Sequence, residues 1–168
     1  MKYKQVEIAD VGRLHLEWQE RLASAHHGIV SYNKVIAFTP PTKPMSKTTV
    51  ALASTSGAHL ASQEPFDMEN RLGDMSARYI PGDTPISEIV FTHDHTDHSD
   101  ADSDPNCLFP LERLRSFQEQ GIIGTVSSVH ASASGFMPDP TPFVEDTVPE
   151  IIDRFKDAKV DVVLLTPG

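Results

Sequence analysis

The chain is predicted to fold as an α/β domain, a Rossmann-like three-layer arrangement built on a parallel sheet and cut short after its last strand. Three observations carry this. Apolar runs of strand length alternate with stretches of helical periodicity, the order that builds parallel sheets. The strand candidates are apolar on both faces, as strands covered on two sides are. Histidines follow several of those strands directly, where ligands bind in such sheets.

Taken in order, Asp10 can cap a helix running to about Ala25, with Val11, Leu14, Trp18, Leu22 and Ala25 on one face and Gly28 ending it. An extended stretch, Ile29 to Phe38, leads into Thr39-Pro40-Pro41-Thr42-Lys43-Pro44. Proline fixes φ and removes backbone donors, so this connector is an ordered arm and no helix. We therefore divide the chain into residues 1–47, helix and proline-rich arm, and residues 48–168, an α/β catalytic-type domain that is incomplete at its carboxyl end.

In the second part, Thr49 to Thr55 is a buried strand, followed by the small polar loop Ser56-Gly57-Ala58-His59. Residues 61–84 look irregular. Ile86 to Thr92 is a second strand. A helix from about Pro110 to Gln120 presents Leu111, Leu114 and Phe117, and Gly121 closes it. Ile122 to Val129 supplies a short strand with His130 just beyond. Thr147-Val148-Pro149-Glu150 spells a capping box for a helix to Ala158 with Ile151, Ile152 and Phe155 inward. The last strand is Val160 to Leu165, and Thr166-Pro167-Gly168 follows.

Composition narrows the class. At 168 residues, 39% hydrophobic and 23% charged, the chain can bury a core of its own. No apolar run approaches the roughly 20 residues that span a bilayer, and Met1 to Gln5 lacks the apolar core of a signal peptide. Cys107 is the only cysteine, so no internal disulfide forms and a reducing cytoplasm is the expected compartment. A formal charge of −10 argues against nucleic acid as a partner.

The chemistry concentrates in His93-Asp94-His95-Thr96-Asp97-His98. Imidazole is the common metal ligand and titrates near neutral pH. His93-x-His95-x-Asp97-His98 fits the metal-binding signature of the metallo-β-lactamase superfamily, where such residues bind zinc or iron and activate water. That fold needs further ligands well downstream, and His130 is the only later histidine. A hydrogen-bonded polar loop without metal stays open beside a metal or substrate role for His93, His95 and His98. Asp100-Ala101-Asp102-Ser103-Asp104 lacks the glycine and the closing glutamate of a calcium loop, so a solvated acidic turn is expected. Cys107, before Leu108-Phe109-Pro110, suits a buried inert thiol, while its place near a helix start leaves reactivity open. The loop at Gly57 could offer amides to an anion, and a plain tight turn explains the glycine equally well. Five of the eight histidines, His59, His93, His95, His98 and His130, are expected along one edge of the sheet.

Several segments together carry a resemblance. These are Phe38 to Pro44, Val50 to Leu60, Gln63 to Met68, Thr92 to Asp102, Asn106 to Leu114, and Val162 to Gly168. In order and spacing they are similar to the selenoprotein B subunit family of glycine, sarcosine, betaine and D-proline reductases. The resemblance implies an oxidoreductase of anaerobic, cytoplasmic amino-acid metabolism that cleaves a carbon–nitrogen bond reductively, with thiol/disulfide acceptor chemistry. It implies a selenocysteine, or a cysteine, directly after Gly168 and therefore absent from this chain. It implies other subunits of a reductase complex as partners, one carrying a pyruvoyl group, and a small amine or amino acid as substrate. On this reading His93, His95, His98, Asp94 and Asp97 are the catalytic-site candidates, and Gly57, His59, Thr166 and Gly168 contact substrate. Two other classes stay open: a metal-dependent hydrolase using the histidine motif, and a non-catalytic subunit that scaffolds a larger complex.

Overall fold

Strand β1 (Thr49–Ser54) organises the domain, because Val50, Ala51 and Leu52 are buried and both its backbone edges are paired. The computed structural model describes residues 39–92 and 99–167. The predicted helix at Asp10 to Ala25, the strand at Ile29 to Phe38, the cluster at His93 to His98, and Gly168 lie outside the described residues. Residues 39–168 form one compact unit, described by itself.

The remaining elements are β2 (Ala58–Leu60), β3 (Ala77–Pro81), β4 (Ile89–Phe91), α1 (Ser99–Ser103), α2 (Leu111–Glu119), β5 (Thr125–Val126), β6 (Val129–Ala133), α3 (Val148–Asp157) and β7 (Val162–Thr166). The fold is mixed α/β with a mostly parallel sheet. β1 pairs in parallel with β5 and β6 on one edge and with β7 on the other, and β3 joins antiparallel to β6. β2 and β4 form a separate antiparallel pair.

Alternation along the strands sends side chains to two faces. Val50, Leu52 and Ile80 pack with Phe109, Leu111, Leu114 and Ile123 on one face, beneath α2. Ala51, Ala131 and Phe155 pack on the other, beneath α3. Helix α2 ends as its sequence predicts. Gly121 has φ +69° and the Ile122 amide returns to the Phe117 carbonyl. Its Arg115 guanidinium donates to the carbonyls of Gly82 and Thr84, tying the helix to the end of β3. β7 is anchored at its start by Asp161, whose carboxylate accepts from the Thr49 amide at 2.7 Å and pairs with Lys43 at 2.7 Å.

The structure corrects several expectations, among them the strand at Ile86 to Thr92, where Ile86–Glu88 forms a 3-10 turn and Ile89–Phe91 alone is extended as β4. Residues 61–84 contain β3, a strand whose short run of mixed residues carries no strong pattern. Ile122 to Val129 is not one strand. Ser127 and Ser128 interrupt it, and β5 and β6 result. His130 lies inside β6 and not beyond it. The capping box at Thr147 does not form, because Thr147 is itself helical, within a π-helical turn at Phe143–Thr147 that runs into α3, and its hydroxyl donates to the Met75 carbonyl.

The Ser127–Ser128 interruption has an energetic remedy. Val50 is opposite Val126 and Ala53 is opposite Ala131, so β6 has gained two residues on β1. His130 Nδ1 accepts the Leu52 amide at 2.8 Å, a side chain doing what a ladder carbonyl does elsewhere. An acceptor nitrogen carries no proton, so the neutral ring holds its proton on Nε2. Desolvation, helped by the Arg115 charge, pushes the His130 pKa from an ordinary 6.5 down to about 4.

The other joint is Gly57, between β1 and β2. Its φ is +68°, its amide donates to the Ala133 carbonyl at 2.9 Å, and its carbonyl accepts the Thr92 amide at 3.0 Å. A Cβ there would sit 2.3 Å from the Thr92 carbonyl oxygen.

Two outcomes follow for equilibrium unfolding in urea. With the folded pKa of His130 depressed, stability is complete above pH 6.5 and falls as the pH drops toward 4, by about 3 kcal/mol for this group; His130→Gln should remove that part of the slope. Gly57→Ala should destabilise by at least about 2 kcal/mol, through a positive φ and a backbone clash together, and an unchanged midpoint would contradict this account of the joint.

Candidate functional site

At the carboxyl ends of the parallel strands the chain changes from aliphatic to hydroxyl residues. β1 ends on Ser54, β7 ends on Thr166, and β6 carries Ser132 one place before its end. Ser54 is in register with Ser132 on one side and with Thr166 on the other. Ser54 Oγ bonds Ser56 Oγ at 2.8 Å and accepts the Ser56 amide at 3.2 Å. The Ser132 and Thr166 hydroxyls are buried and have no hydrogen-bond partner.

Next to this row stands the β2–β4 pair. His59 is buried on β2, with Nδ1 2.8 Å from the Leu60 carbonyl and Nε2 2.7 Å from Thr92 Oγ1. A carbonyl only accepts, so Nδ1 carries the proton and Nε2 accepts from the threonine hydroxyl. The imidazole edge meets Phe66 at 6.2 Å, and the Arg78 guanidinium lies 4.4 Å over the same ring. Both nitrogens of His59 are thus occupied, Nδ1 by the Leu60 carbonyl and Nε2 by Thr92, the residue immediately before His93.

Arg78, on β3 opposite Ser132, donates to the carbonyls of Glu64 and Pro65 and lies 3.5 Å from Asp74. Burial alone would raise the Asp74 carboxyl. Hydrogen bonds from the Ser76 hydroxyl and from the Asp67 and Ser76 amides, with the Arg78 charge, outweigh it and hold the group below its ordinary value.

The predicted site residues separate into three groups. Thr166 lies at the strand ends, in the hydroxyl row. His59 and Gly57 lie behind Thr92, and the Gly57 amide is already bonded to Ala133. His93, Asp94, His95, Asp97, His98 and Gly168 lie outside the described residues. His130, expected at the same edge, is wholly buried inside the sheet. Among the described residues no group of three or more metal-ligating side chains converges. In the acidic segment, Asp104 accepts from the Asn106 amide and side chain, and Asn106 in turn holds Glu112 at the start of α2. Cys107 is an exposed free thiol, contrary to the buried one expected. No described helix is long and apolar enough to cross a membrane.

Sequence reasoning passed over Ser132 and Arg78, and weighed Ser54 only as part of the Gly57 loop whose amides could meet an anion. The signal was a hydroxyl residue at or near the end of β1, β6 and β7, but only the register makes a row of them. Between α3 and the sheet lies a cavity of about 560 Å³, walled by Phe143, Ile151, Ile152, Phe155, Val163 and Leu165 and bordered by the strand ends at Ser54, Ser132 and Thr166. Its size suits a small molecule. Its walls are almost wholly apolar, so it cannot by itself orient a charged one.

Comparison with known proteins agrees with the segments that carry the resemblance. The chain is 36% identical over 131 residues to the D-proline reductase subunit gamma of Acetoanaerobium sticklandii, covering 78% of this chain and 53% of that protein. It is 29% identical over 133 residues to the betaine reductase complex component B subunit beta of Peptoclostridium acidaminophilum, covering 75% of this chain and 29% of the relative. To the sarcosine reductase complex component B subunit beta of the same organism it is 32% identical over 103 residues, covering 57% and 22%. The chain therefore spans about half the length of the first relative and less than a third of the others. No solved structure matches. The family model described as glycine/sarcosine/betaine reductase selenoprotein B matches residues 24–168, and the chain belongs to that family.

Proposed function

We propose that this chain is the amino-terminal part of a subunit that reductively cleaves a carbon–nitrogen bond in a glycine, sarcosine, betaine or D-proline type of substrate. The nucleophile, a selenocysteine or a cysteine, stands directly after Gly168. The complete domain is then a Rossmann-like three-layer one whose sheet continues past β7. The carrying observation is the family match over residues 24–168. The state of β7 supports it as well. Its Val163, Leu164 and Leu165 are exposed, Leu165 at 74%, although strands of a parallel sheet are normally covered on both faces.

A selenolate or thiolate at that point supplies an ionised, polarizable nucleophile for the carbon bearing the nitrogen, and a pyruvoyl group on a partner subunit activates amino substrates. The chain's own residues do the positioning. Thr166 and Gly168 bring the nucleophile to the carboxyl ends of the strands, where ligands bind. His93, His95 and His98 orient substrate and pass the proton that the departing amine takes up, with Asp94 and Asp97 fixing their tautomers. Gly57 and His59 serve from behind, because they fix the backbone and hydroxyl of Thr92, where the cluster begins. The partners are the other subunits of a reductase complex, and the compartment is the cytoplasm.

Reading the coding DNA past the Gly168 codon tests this directly. The expected result is an in-frame UGA, or a cysteine codon, followed by an open frame of roughly the length that separates this chain from its relatives. An ordinary stop codon with no coding continuation overturns the proposal.

A further inference from the structure

Strand β7 is an edge with an uncovered face. Among the described residues it pairs only with β1, and its outer backbone edge carries no strand. Alternation puts Val163 and Leu165 opposite Ala51 and Ala53 on the α3 face, and Leu164 opposite Leu52 on the α2 face. Helix α3 packs over β1 and β6, where Phe155 meets Ala51 and Ala131, and that cluster does not include Val163 or Leu165. The apolar cavity lies between them. Ile152 on its helix wall is 44% exposed, and Leu165 on its strand wall 74%.

We infer that this cleft seats an amphipathic helix from the segment that follows Gly168, laid beside α3 on the same face of the sheet. The inference rests on the function proposed above, which continues the chain. Handedness chooses the face. From β1 to β6 the chain passes through α2, and from β6 back across β1 to β7 it passes through α3. These moves run in opposite directions along the sheet, and their helices lie on opposite faces, as right-handed crossovers require. A parallel strand added at the outer edge of β7 repeats the direction of the second move. Its crossover is right-handed only if the connecting helix lies on the α3 face.

Spacing gives the same seat. Neighbouring helices pack with axes roughly 8–10 Å apart, which is about two strand spacings of roughly 4.8 Å. With α3 over β1 and β6, the next helix falls over β7 and the strand beyond it. Its apolar stripe meets Ile152 at its side and Val163 and Leu165 beneath it. The walls suit that occupant, since an apolar stripe needs no polar anchor, whereas a small molecule would find nothing there to orient it.

The test places a photoreactive benzoylphenylalanine at position 152 of the complete gene product. Position 117 on α2, where Phe117 is 43% exposed, is the control from the other face. Irradiation followed by peptide mass spectrometry should join position 152 to roughly the first 30 residues after Gly168 of the same chain, the length of one crossover unit. Position 117 should not capture that peptide. Leu165→Glu is the independent readout: it should lower the Tm of the complete protein by about 5 °C or more, because the helix would bury the new charge. Capture of a second copy or another subunit at 152, no capture there, capture of the following segment at 117 instead, or an unchanged Tm in Leu165→Glu overturns the inference. A reading frame that stops at Gly168 removes the reductase reading and this helix together, whereas a continuing frame with any of those outcomes removes the helix seat alone.

Discussion

The Leu52 amide and the His130 ring hold the two halves of the sheet in register. β1 must pair with β5 near its start and with β6 near its end, yet β6 has gained two residues on the way. Without an acceptor at that point, the Leu52 amide would be a buried donor with no partner, in a strand with no other means of reaching one. His130 supplies the acceptor from within the strand that created the problem, and its ring stands edge-on to Phe109 in the core at 6.1 Å. The consequence runs to the other end of β1. Only with the two-residue gain do Ser54 and Ser132 face each other; without it the strand ends would meet out of step and the hydroxyl row would not exist.

Gly57 sets a second constraint of the same kind. It links the parallel sheet, through the Ala133 carbonyl, to the β2–β4 pair, through Thr92. His59 then fixes the Thr92 side chain. The backbone entering the His93–Asp94–His95 segment is therefore held by one glycine and one imidazole, neither of which is free for a ligand.

What was legible in the sequence follows from what each element depends on. β1, α2, α3 and β7 rest on their own apolar runs and periodicity, and they lie within a residue or two of where Thr49, Leu111, Val148 and Leu165 place them. β3 rests on its partner. Ala77-Arg78-Tyr79-Ile80-Pro81 has little strand character alone and is fixed by pairing with Val129 to Ala133. The same long-range pairing hides β6, whose His130, Ser132 and alanines look like a loop until both neighbours are in place. The Thr147 capping box fails for a related reason, since a hydroxyl that can cap locally finds the Met75 carbonyl instead. The family was legible because motif order survives without any of these contacts. The hydroxyl row was not, because it is a property of register.

The α3 side meets β1, β6 and β7 through Ala53, Ala131, Val163 and Leu165, and its cavity is nearly devoid of polar surface. A small zwitterion gains nothing there, since its charges would lose water without finding partners. Ser54, Ser132 and Thr166 lie at or next to the strand ends at the border of that cavity, with Arg78, paired to Asp74, on the next strand. The exposed Leu164 and Leu165 of β7 add apolar surface whose burial would be favourable at about 25 cal/mol per Å².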